Sequence, residues 1–288
     1  LEGVGDRVQA RLTDGEGVTI AEVRGLDGEL HPYLSTDAKS NTASIAAQAL
    51  RDAQGQAGAV DLRVHKGVPL QSGMGSSAAS AVAAVVAVNA LLDQPLETGK
   101  LLAYALIGEQ YASGGLHADN VAPSLLGGLV LCPQVLLPEI IRMPVPAGVS
   151  AVLLHPDLQV NTAQARRGLA KGYSMQDWLA QQGLLAGFIV ACAENDSELL
   201  GKTLKDVIVE PQRKDAVPCF DAVKEAAMKS GAFGCSLSGS GPSMFALCRT
   251  SDARNIASMM EQACRLQGIA CQSWVSSMTA PGASIEAA

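Results

Sequence analysis

A segment rich in glycine and serine carries the clearest chemical signal in this sequence. It reads Lys66-Gly-Val-Pro-Leu-Gln-Ser-Gly-Met-Gly-Ser-Ser-Ala-Ala-Ser80 and lies between a predicted strand and a predicted helix. Phosphates bind such loops because glycines let the backbone approach closely, clustered N–H groups point at the anion, and the helix N-terminus adds positive partial charge. Ser76 and Ser77 add hydroxyls that can bind phosphate or a metal ion. The segment therefore predicts a phosphate-binding loop.

The loop differs from the two commonest phosphate-binding patterns. No GK[ST] follows four variable residues, and only Gly73 and Gly75 fit a GxGxxG pattern. The alternative interpretation is a flexible turn before an ordinary helix, with Ser76 or Ser77 as the cap that accepts a free backbone N–H. The complete string favours phosphate binding over this alternative.

The elements that position these residues alternate between strand and helix periods, which predicts an α+β fold. The clearest strand is Val60–His65, where apolar and polar residues alternate, and a helix follows the loop to about Leu92. Other predicted helices are Asn41–Arg51, Glu97–Ala112, Thr162–Leu169, Met175–Cys192, Phe220–Lys229 and Ala253–Gln267. Other predicted strands are Val18–Ile20, Gly128–Cys132, Ser150–His155, two within Cys235–Cys248, and Ile269–Ser276. Prolines at 133, 138, 144 and 146 mark a boundary between domains at 1–146 and 147–288.

The composition excludes several functional classes. The chain has 288 residues, 48% of them hydrophobic and 17% charged, so apolar material for a core is ample. The net charge of −7 comes without a block of like charges, which argues against a nucleic-acid surface. The longest apolar run, Ala78–Leu92, is broken by Ser80 and Asn89. It predicts a core helix, because a membrane span needs roughly 20 strongly apolar residues.

The cysteines and the N-terminus indicate the cell compartment. There are seven cysteines, an odd number, and none are at CxxC spacing. This pattern disfavours a disulfide framework or a zinc site and favours reduced thiols in a cytosol. The N-terminus shows no basic and apolar signal segment. We therefore expect a cytoplasmic protein that contacts neither membrane nor nucleic acid.

Several motifs together resemble the GHMP kinase family. Pro-x-x-x-Gly-x-Gly-Ser-Ser-Ala-Ala, which starts at Pro69, is similar to the family's central phosphate motif, and the segment 236–243 is similar to its third, glycine-rich motif. Glu109 and the segment 114–120 match the acidic metal ligand and the stretch after it. Segments 161–166 and 210–213 resemble substrate-binding stretches of the family's homoserine kinases.

The resemblance implies both a fold and an activity. The fold is a two-lobed GHMP-kinase-like α+β structure, with an N-terminal half like ribosomal protein S5 and a ferredoxin-like C-terminal half. The activity is ATP- and Mg²⁺-dependent phosphorylation of the L-homoserine hydroxyl to O-phospho-L-homoserine, a step toward threonine. A homodimer is expected on the resemblance alone.

The resemblance also assigns roles to single residues. Ser77 and Glu109 would hold Mg²⁺, which prefers oxygen ligands and needs only one or two carboxylates; the alternative for Glu109 is a solvated helix residue. Lys66 could reach the phosphates, and the alternative is that it is simply solvated, as a lysine that flanks a strand commonly is. Asn41 would face the adenine, although a plain helix cap is an equal alternative for it. The remaining ATP-binding residues would be Pro69, Leu70, Gln71, Ser72, Gly73, Met74, Gly75, Ser76, Ala78 and Ala79. The homoserine site would comprise His117, Asn120, Thr162, Arg166, Arg213 and Gly239. Arg166 and Arg213 would hold the planar α-carboxylate, since guanidinium is also planar and bidentate. The alternative for both is a surface arginine, and Arg167 beside Arg166 supports it.

Asn120 bears on how the acceptor hydroxyl loses its proton. Several GHMP relatives have an aspartate at the matching position as a base, but an amide cannot take a proton. The resemblance to homoserine kinases implies that the proton passes directly to the γ-phosphate. Asp119 is the alternative base, and it is disfavoured because adjacent helical side chains point in different directions.

One departure and three competing hypotheses remain. The family's first motif, rich in Asn and Gly, is absent, and the opening residues resemble the stretch that follows it, so we expect a late start of this chain. The competing hypotheses are a GHMP kinase for mevalonate or sugar acceptors, a GHMP-fold ligand-binding protein without catalysis, and a purely structural α+β protein. The two arginines and Asn120 argue against the first. The intact Ser77, Glu109 and glycine-rich loops argue against the others.

Overall fold

The chain forms two compact units. The computed structural model describes residues 1–56 and 58–286, without the side chains of Thr162, Ala163 and Arg166. The N-terminal unit comprises Val4–Leu70, Gly75–Arg142 and the described residues from Pro281 onward. The C-terminal unit comprises Leu1–Gly3, Gln71–Met74 and Met143–Ala280. Both units mix helices with strands, so the predicted α+β class is confirmed.

The N-terminal unit combines a three-stranded sheet with four helices. The order in the sheet is β1-β3-β2, with β1 antiparallel and β2 parallel to β3. A small two-stranded sheet, β4 with β5, follows the last of the helices. Its elements are β1 (Arg7–Thr13), β2 (Gly17–Arg24), α1 (Thr42–Gln54), β3 (Ala59–His65), α2 (Ser76–Asn89), α3 (Leu102–Ser113), α4 (Ala118–Leu126), β4 (Leu129–Leu131) and β5 (Ile141–Met143).

Helix α2 is the centre of this unit. It is apolar on every side, so it needs neighbours all round, and it packs against α1, α3, α4 and β1. β3 buries Val60, Leu62 and Val64 completely or nearly so, as its alternating pattern predicts. The predicted core helix and the predicted strand on either side of the loop are thus confirmed.

The C-terminal unit is built on a four-stranded antiparallel sheet. The order β7-β8-β6-β9, with α9 and α10 packed on the sheet, is the ferredoxin-like βαββαβ arrangement. Its elements are β6 (Val149–Pro156), α5 (Thr162–Arg167), α6 (Met175–Glu194), α7 (Ser197–Thr203), α8 (Glu210–Arg213), α9 (Phe220–Lys229), β7 (Gly234–Leu237), β8 (Met244–Arg249), α10 (Ala253–Leu266) and β9 (Cys271–Ser277).

Helix α6 exposes an apolar face. Its large apolar side chains Met175, Trp178, Leu179, Leu185 and Val190, which we call the outer face of α6, are 44–71% exposed. The opposite side packs against α7, where Gly187 approaches Thr203 closely. In the described part of the chain no helix, α6 included, has the length and apolar character that crossing a membrane requires.

Candidate active site

The phosphate-binding loop enters α2 through a glycine in the left-handed conformation. Gly75 has φ +74° and is the N-cap of α2, with no side-chain cap, so the predicted cap by Ser76 or Ser77 is wrong. Both hydroxyls bond elsewhere: Ser76 Oγ donates to the Val68 carbonyl at 2.8 Å, and Ser77 Oγ donates to Glu109. The first N–H groups of α2 are therefore left without a side-chain cap, as anion binding requires.

Asn120 packs directly on Gly75. A Cβ built on Gly75 would lie 2.8 Å from Asn120 Oδ1 and 2.9 Å from its Cβ, closer than real contacts allow. Asn120 stands in the first turn of α4, after His117 as N-cap. Asn120, which is predicted to bind the acceptor substrate, therefore lies against the predicted phosphate-binding loop. His117 is half-buried, and its Nε2 lies beside Gly115.

The tip of the loop, Gln71–Met74, belongs to the C-terminal unit and is held there by the turn between β7 and β8. Ser238 Oγ donates to the Gly73 carbonyl at 2.9 Å, and the Ser243 N–H donates to the Ser72 carbonyl at 3.1 Å. A Cβ on Gly73 would lie 2.3 Å from the Ser238 carbonyl oxygen. The turn therefore supports the loop by backbone contacts that only glycine permits at position 73.

Ser77 and Glu109 meet although they come from different helices. Ser77 Oγ donates to Glu109 Oε2 at 2.6 Å, and Glu109 is only 5% exposed. Gly108 lets α3 pack closely on the start of α1, because a Cβ at Gly108 would lie 2.6 Å from the Thr42 carbonyl oxygen. The oxygens of the two predicted metal ligands therefore lie side by side, next to the first turn of α2.

This pair of oxygens fits Mg²⁺. The described residues contain no group of three or more His, Cys, Asp or Glu side chains that could hold a metal ion by themselves. Mg²⁺ does not need such a cage, because it takes one or two protein oxygens together with substrate phosphates and water. A carboxylate beside a hydroxyl at a helix N-terminus matches this preference in donor type and number.

Lys66 forms an ion pair with Asp6 below the phosphate-binding loop. Its side chain is buried, and Nζ donates to Asp6 Oδ2, to the Ser76 carbonyl at 2.9 Å and to Ser80 Oγ at 2.8 Å. An ammonium has three N–H donors, and these three acceptors use all of them. Burial lowers the pKa of Lys66, and the Asp6 charge opposes that shift. Lys66 thus belongs to a buried ion pair, and its contact with the phosphates stays a prediction.

Asn41 is the N-cap of α1. Its Oδ1 accepts the Ala43 N–H at 3.0 Å, and its Nδ2 donates to the Ser35 carbonyl at 2.8 Å. The cap alternative is therefore observed. A contact between Asn41 and adenine stays a prediction.

The predicted carboxylate-binding arginines are described unequally. Arg213 lies at the end of α8, half-buried, and its Nη1 donates to the Gly239 carbonyl at 3.1 Å. This contact joins two of the predicted substrate residues. The side chains of Arg166 and Thr162 lie outside the described residues, so their approach to Arg213 stays a prediction.

Sequence reasoning missed the polar residues that hold Arg213 and the loop in place. Glu210, at the other end of α8, accepts from Ser236 Oγ at 2.6 Å and pairs with Lys224. His155 Nδ1 lies 3.0 Å from Ser243 Oγ, and burial lowers the pKa of His155 despite the opposing charge of Asp157. Two signals in the sequence lie near these contacts: the glycine-rich motif that contains Ser236 and Ser243, and the segment 210–213, which begins at Glu210.

Family models identify both halves of the chain. The model of the GHMP kinases N terminal domain matches residues 41–128, and that of the GHMP kinases C terminal domain matches 188–266. The chain belongs to the GHMP kinase family. The resemblance expected from its motifs is confirmed, and so is the family's two-domain fold.

Curated relatives and solved structures agree with this assignment. The chain is 40% identical over 284 residues to the homoserine kinase of Xanthomonas campestris pv. campestris, covering 98% of this chain and 86% of the relative. It is 36% identical to the homoserine kinase of Chlorobium phaeovibrioides, covering 96% and 88%. The crystal structure of homoserine kinase from Cytophaga hutchinsonii superposes with a TM-score of 0.91 at 40% identity, covering 96% and 87%. The mevalonate kinase of L. major, at 16% identity and a TM-score of 0.71, covering 98% and 88%, shares the fold.

Proposed function

We propose that this GHMP kinase is an ATP-dependent homoserine kinase, which phosphorylates the hydroxyl of L-homoserine to O-phospho-L-homoserine. The observation that carries the kinase chemistry is the hydrogen bond between Ser77, in the first turn after the glycine-rich loop, and Glu109 of α3. The relatives support the acceptor, because the homoserine kinases named above align with nearly all of this chain. The formation of this product would be a step toward threonine.

The loop and α2 would bind the phosphates of ATP. ATP carries about four negative charges, and phosphoryl transfer is mostly positioning and electrostatic stabilisation. Backbone N–H groups of the loop and the first turn of α2 offer donors and the positive end of the helix dipole. Mg²⁺ held by Ser77 and Glu109 would neutralise charge on the phosphates. These site assignments are supported by the uncapped α2 N-terminus and the pairing of the two oxygens.

The arginines would bind the acceptor. We propose that Arg166 and Arg213 bind the α-carboxylate and that His117, Asn120, Thr162 and Gly239 complete the pocket. A small amino acid offers few atoms, so charge-assisted hydrogen bonds must do most of the selecting. The contact between Arg213 and the Gly239 carbonyl supports placing these two residues in one site.

The acceptor proton would leave without a protein base. The Asn120 amide cannot accept a proton, and it packs against Gly75 rather than standing free in solvent. Asp119 is exposed, one residue away. We therefore propose that the hydroxyl proton passes to a γ-phosphate oxygen while Asn120 orients the acceptor.

Other expectations accompany this function as proposals. The two family domains are proposed to span 1–146 and 147–288, limits that enclose the matched ranges 41–128 and 188–266. A cytoplasmic enzyme, a homodimer, and no nucleic-acid or membrane partner are proposed as well.

The test of the acceptor is an assay of ADP release with a panel of acceptors. Purified protein is incubated with ATP, Mg²⁺ and L-homoserine, mevalonate or galactose. We expect ADP release that depends on homoserine and exceeds release with the other two by at least 100-fold, because buried charged groups left unpaired penalise the wrong acceptor. Faster turnover of mevalonate or galactose would assign a different acceptor to the same kinase fold.

A further inference from the structure

Asp6 and Lys66 form a buried ion pair between the start of β1 and the end of β3. The antiparallel register sets Arg7 opposite His65, so Asp6 and Lys66 come next to each other beyond the paired strands. Their side chains are 0% and 4% exposed, respectively. Taking two charges out of water is costly, and such a pair persists only where further hydrogen bonds satisfy both partners.

The Asp6 carboxylate holds the entry of the phosphate-binding loop. Its Oδ1 accepts the N–H groups of Gly67 at 2.8 Å and Val68 at 3.1 Å. The chain also crosses itself tightly here, since a Cβ on Gly67 would lie 1.9 Å from the Gly5 carbonyl oxygen. The first two residues of the loop are therefore fixed to the segment before β1.

The same pair holds the exit of the loop. Lys66 Nζ donates to the Ser76 carbonyl, and Ser80 Oγ donates to Asp6 Oδ2 at 2.5 Å while it accepts from Lys66. Ser76 Oγ closes the loop by donating to the Val68 carbonyl. Ser77, which donates to Glu109, lies between these two anchored serines in the first turn of α2.

The Asp6 carboxylate also balances the charge of Lys66 near the N-terminus of α2. A lone ammonium in the first turn of α2 would oppose the positive end of the helix dipole. The Asp6 carboxylate neutralises Lys66 and leaves the helix N-terminus to favour an anion from outside. The contacts thus join loop geometry and local charge in one buried cluster.

We propose that Asp6 is a positioning residue for phosphate transfer: through Lys66 and Ser80 it fixes the first turn of α2, and with it the Ser77 hydroxyl beside Glu109. This inference rests on the proposed kinase function and adds a residue far from the loop in sequence. Asp6 itself need touch neither ATP nor the acceptor.

Three variants test the proposal in the full chain: Ser80→Ala, Asp6→Asn, and the double variant Asp6→Asn with Lys66→Met. Ser80→Ala removes one shared contact and keeps both charges. The double variant removes both charges, and apolar replacement of a buried ion pair is often neutral for stability. Glu198→Gln, which breaks the exposed pair with Lys202, is the matched control. The readouts are the melting temperature, the dissociation constant of MgATP, kcat and the KM for homoserine.

We expect Ser80→Ala and the double variant to melt within a few degrees of the wild type. Their kcat should fall and their MgATP dissociation constant should rise by at least about fivefold, the size of one lost hydrogen bond. Homoserine KM should be unchanged, and Glu198→Gln should behave as the wild type. Asp6→Asn should also melt at a lower temperature, because it leaves Lys66 buried without its counter-charge.

Two outcomes overturn the proposal. A stable double variant with wild-type kcat and MgATP affinity means that the pair serves folding alone. Ser80→Ala with unchanged MgATP affinity, beside a double variant that binds MgATP weakly, means that Lys66 contacts the phosphates directly. If the wild type binds MgATP but does not use homoserine, the acceptor assignment fails, and MgATP affinity still decides the role of Asp6.

Discussion

At the scale of single residues, Ser77 and Glu109 show how the site depends on a contact between helices. Glu109 is buried, so its carboxylate is kept there by the partners it bonds to, of which Ser77 Oγ is one. A buried carboxylate without such partners would be costly. We propose that the two oxygens are ligands held ready for a cation that arrives with the nucleotide.

Glu109→Gln tests the metal role. The amide keeps an oxygen that can accept from Ser77, so we expect a folded protein with nearly unchanged nucleotide affinity. Turnover should fall on the order of a hundredfold or more, because the lost charge is needed most as the phosphoryl group moves. Steady-state kinetics and equilibrium ATP binding give the two numbers, with exposed Glu139→Gln as control. Wild-type turnover in folded Glu109→Gln would exclude the role.

Arg213→Lys tests the acceptor site. Lysine keeps the charge but loses the planar fork, so we expect the homoserine KM to rise about 10-fold to 100-fold, the worth of one charge-assisted hydrogen bond. The KM for ATP should change little. Arg166→Lys should behave alike, and Arg167→Lys, at an exposed neighbour, is the matched control. If homoserine KM stays unmoved in both Arg166→Lys and Arg213→Lys, the amino-acid assignment fails.

Among these residues, the sequence predicts contacts where a motif names both partners and misses contacts with a distant partner. The family motifs predict that Ser77 and Glu109 come together, and the structure has a hydrogen bond between them. The ion pair of Lys66 was not predicted, because Asp6, 60 residues earlier, gives no local sign of pairing with it. Ion pairs of this kind depend on strand register, which a single sequence does not reveal.

At the scale of elements, the loop–α2 junction depends on backbone shape more than on side chains. Gly75 combines a positive φ with a side-chain neighbour in the space of its missing Cβ. The left-handed conformation costs an L-residue about 1–2 kcal/mol, and the contact with Asn120 adds to that. The junction therefore accepts glycine alone.

Gly75→Ala should impair ATP binding. We expect the MgATP dissociation constant to rise about tenfold or more, because the new Cβ displaces either Asn120 or the loop. Gly183→Ala is the control: the site on α6 is open, and alanine should stabilise the helix by roughly 0.5–1 kcal/mol without changing kinetics. Calorimetric ATP titration and thermal melting measure both effects. Equal ATP affinity in Gly75→Ala and the wild type would contradict the geometry of the junction.

Most long helices and strands were predictable because their apolar residues recur at regular spacings. The predicted helix Phe220–Lys229 matches α9 in full, and Met175–Cys192 falls within α6. α4 was missed because it contains Pro123, and a proline ordinarily breaks a helix. β1 was missed although Val8, Ala10 and Leu12 alternate with polar residues along it.

At the scale of the whole molecule, the order of segments in the chain hides how they group. Gln71–Met74 packs with the C-terminal unit, although the residues on both sides belong to the N-terminal unit. Such a division depends on contacts between residues far apart in the chain, such as Ser238 and Gly73, which are 165 residues apart, and no local pattern reports it.

The proposed homodimer has a candidate surface in the outer face of α6. Only Asp177 and Glu194 among the 20 residues of α6 are charged, and an exposed apolar stripe about 22 Å long, from Met175 to Val190, is unusual for a monomer. We expect the wild type to run as a dimer in size-exclusion chromatography with light scattering, and Leu179→Glu to run as a monomer. The control is Leu26→Glu, which places the same charge at an exposed leucine of the N-terminal unit. A dimeric Leu179→Glu would exclude this face, and a monomeric wild type would exclude the dimer.

The central claim is transfer of a phosphoryl group from ATP to the hydroxyl of homoserine, and ³¹P NMR of the reaction mixture tests it most directly. With ATP, Mg²⁺ and L-homoserine, we expect ADP and one new phosphate monoester in equal amounts, with mass spectrometry locating the phosphate on the side-chain oxygen. Omission of homoserine should abolish the new signal. ADP accompanied only by inorganic phosphate, or no loss of ATP, would contradict the account.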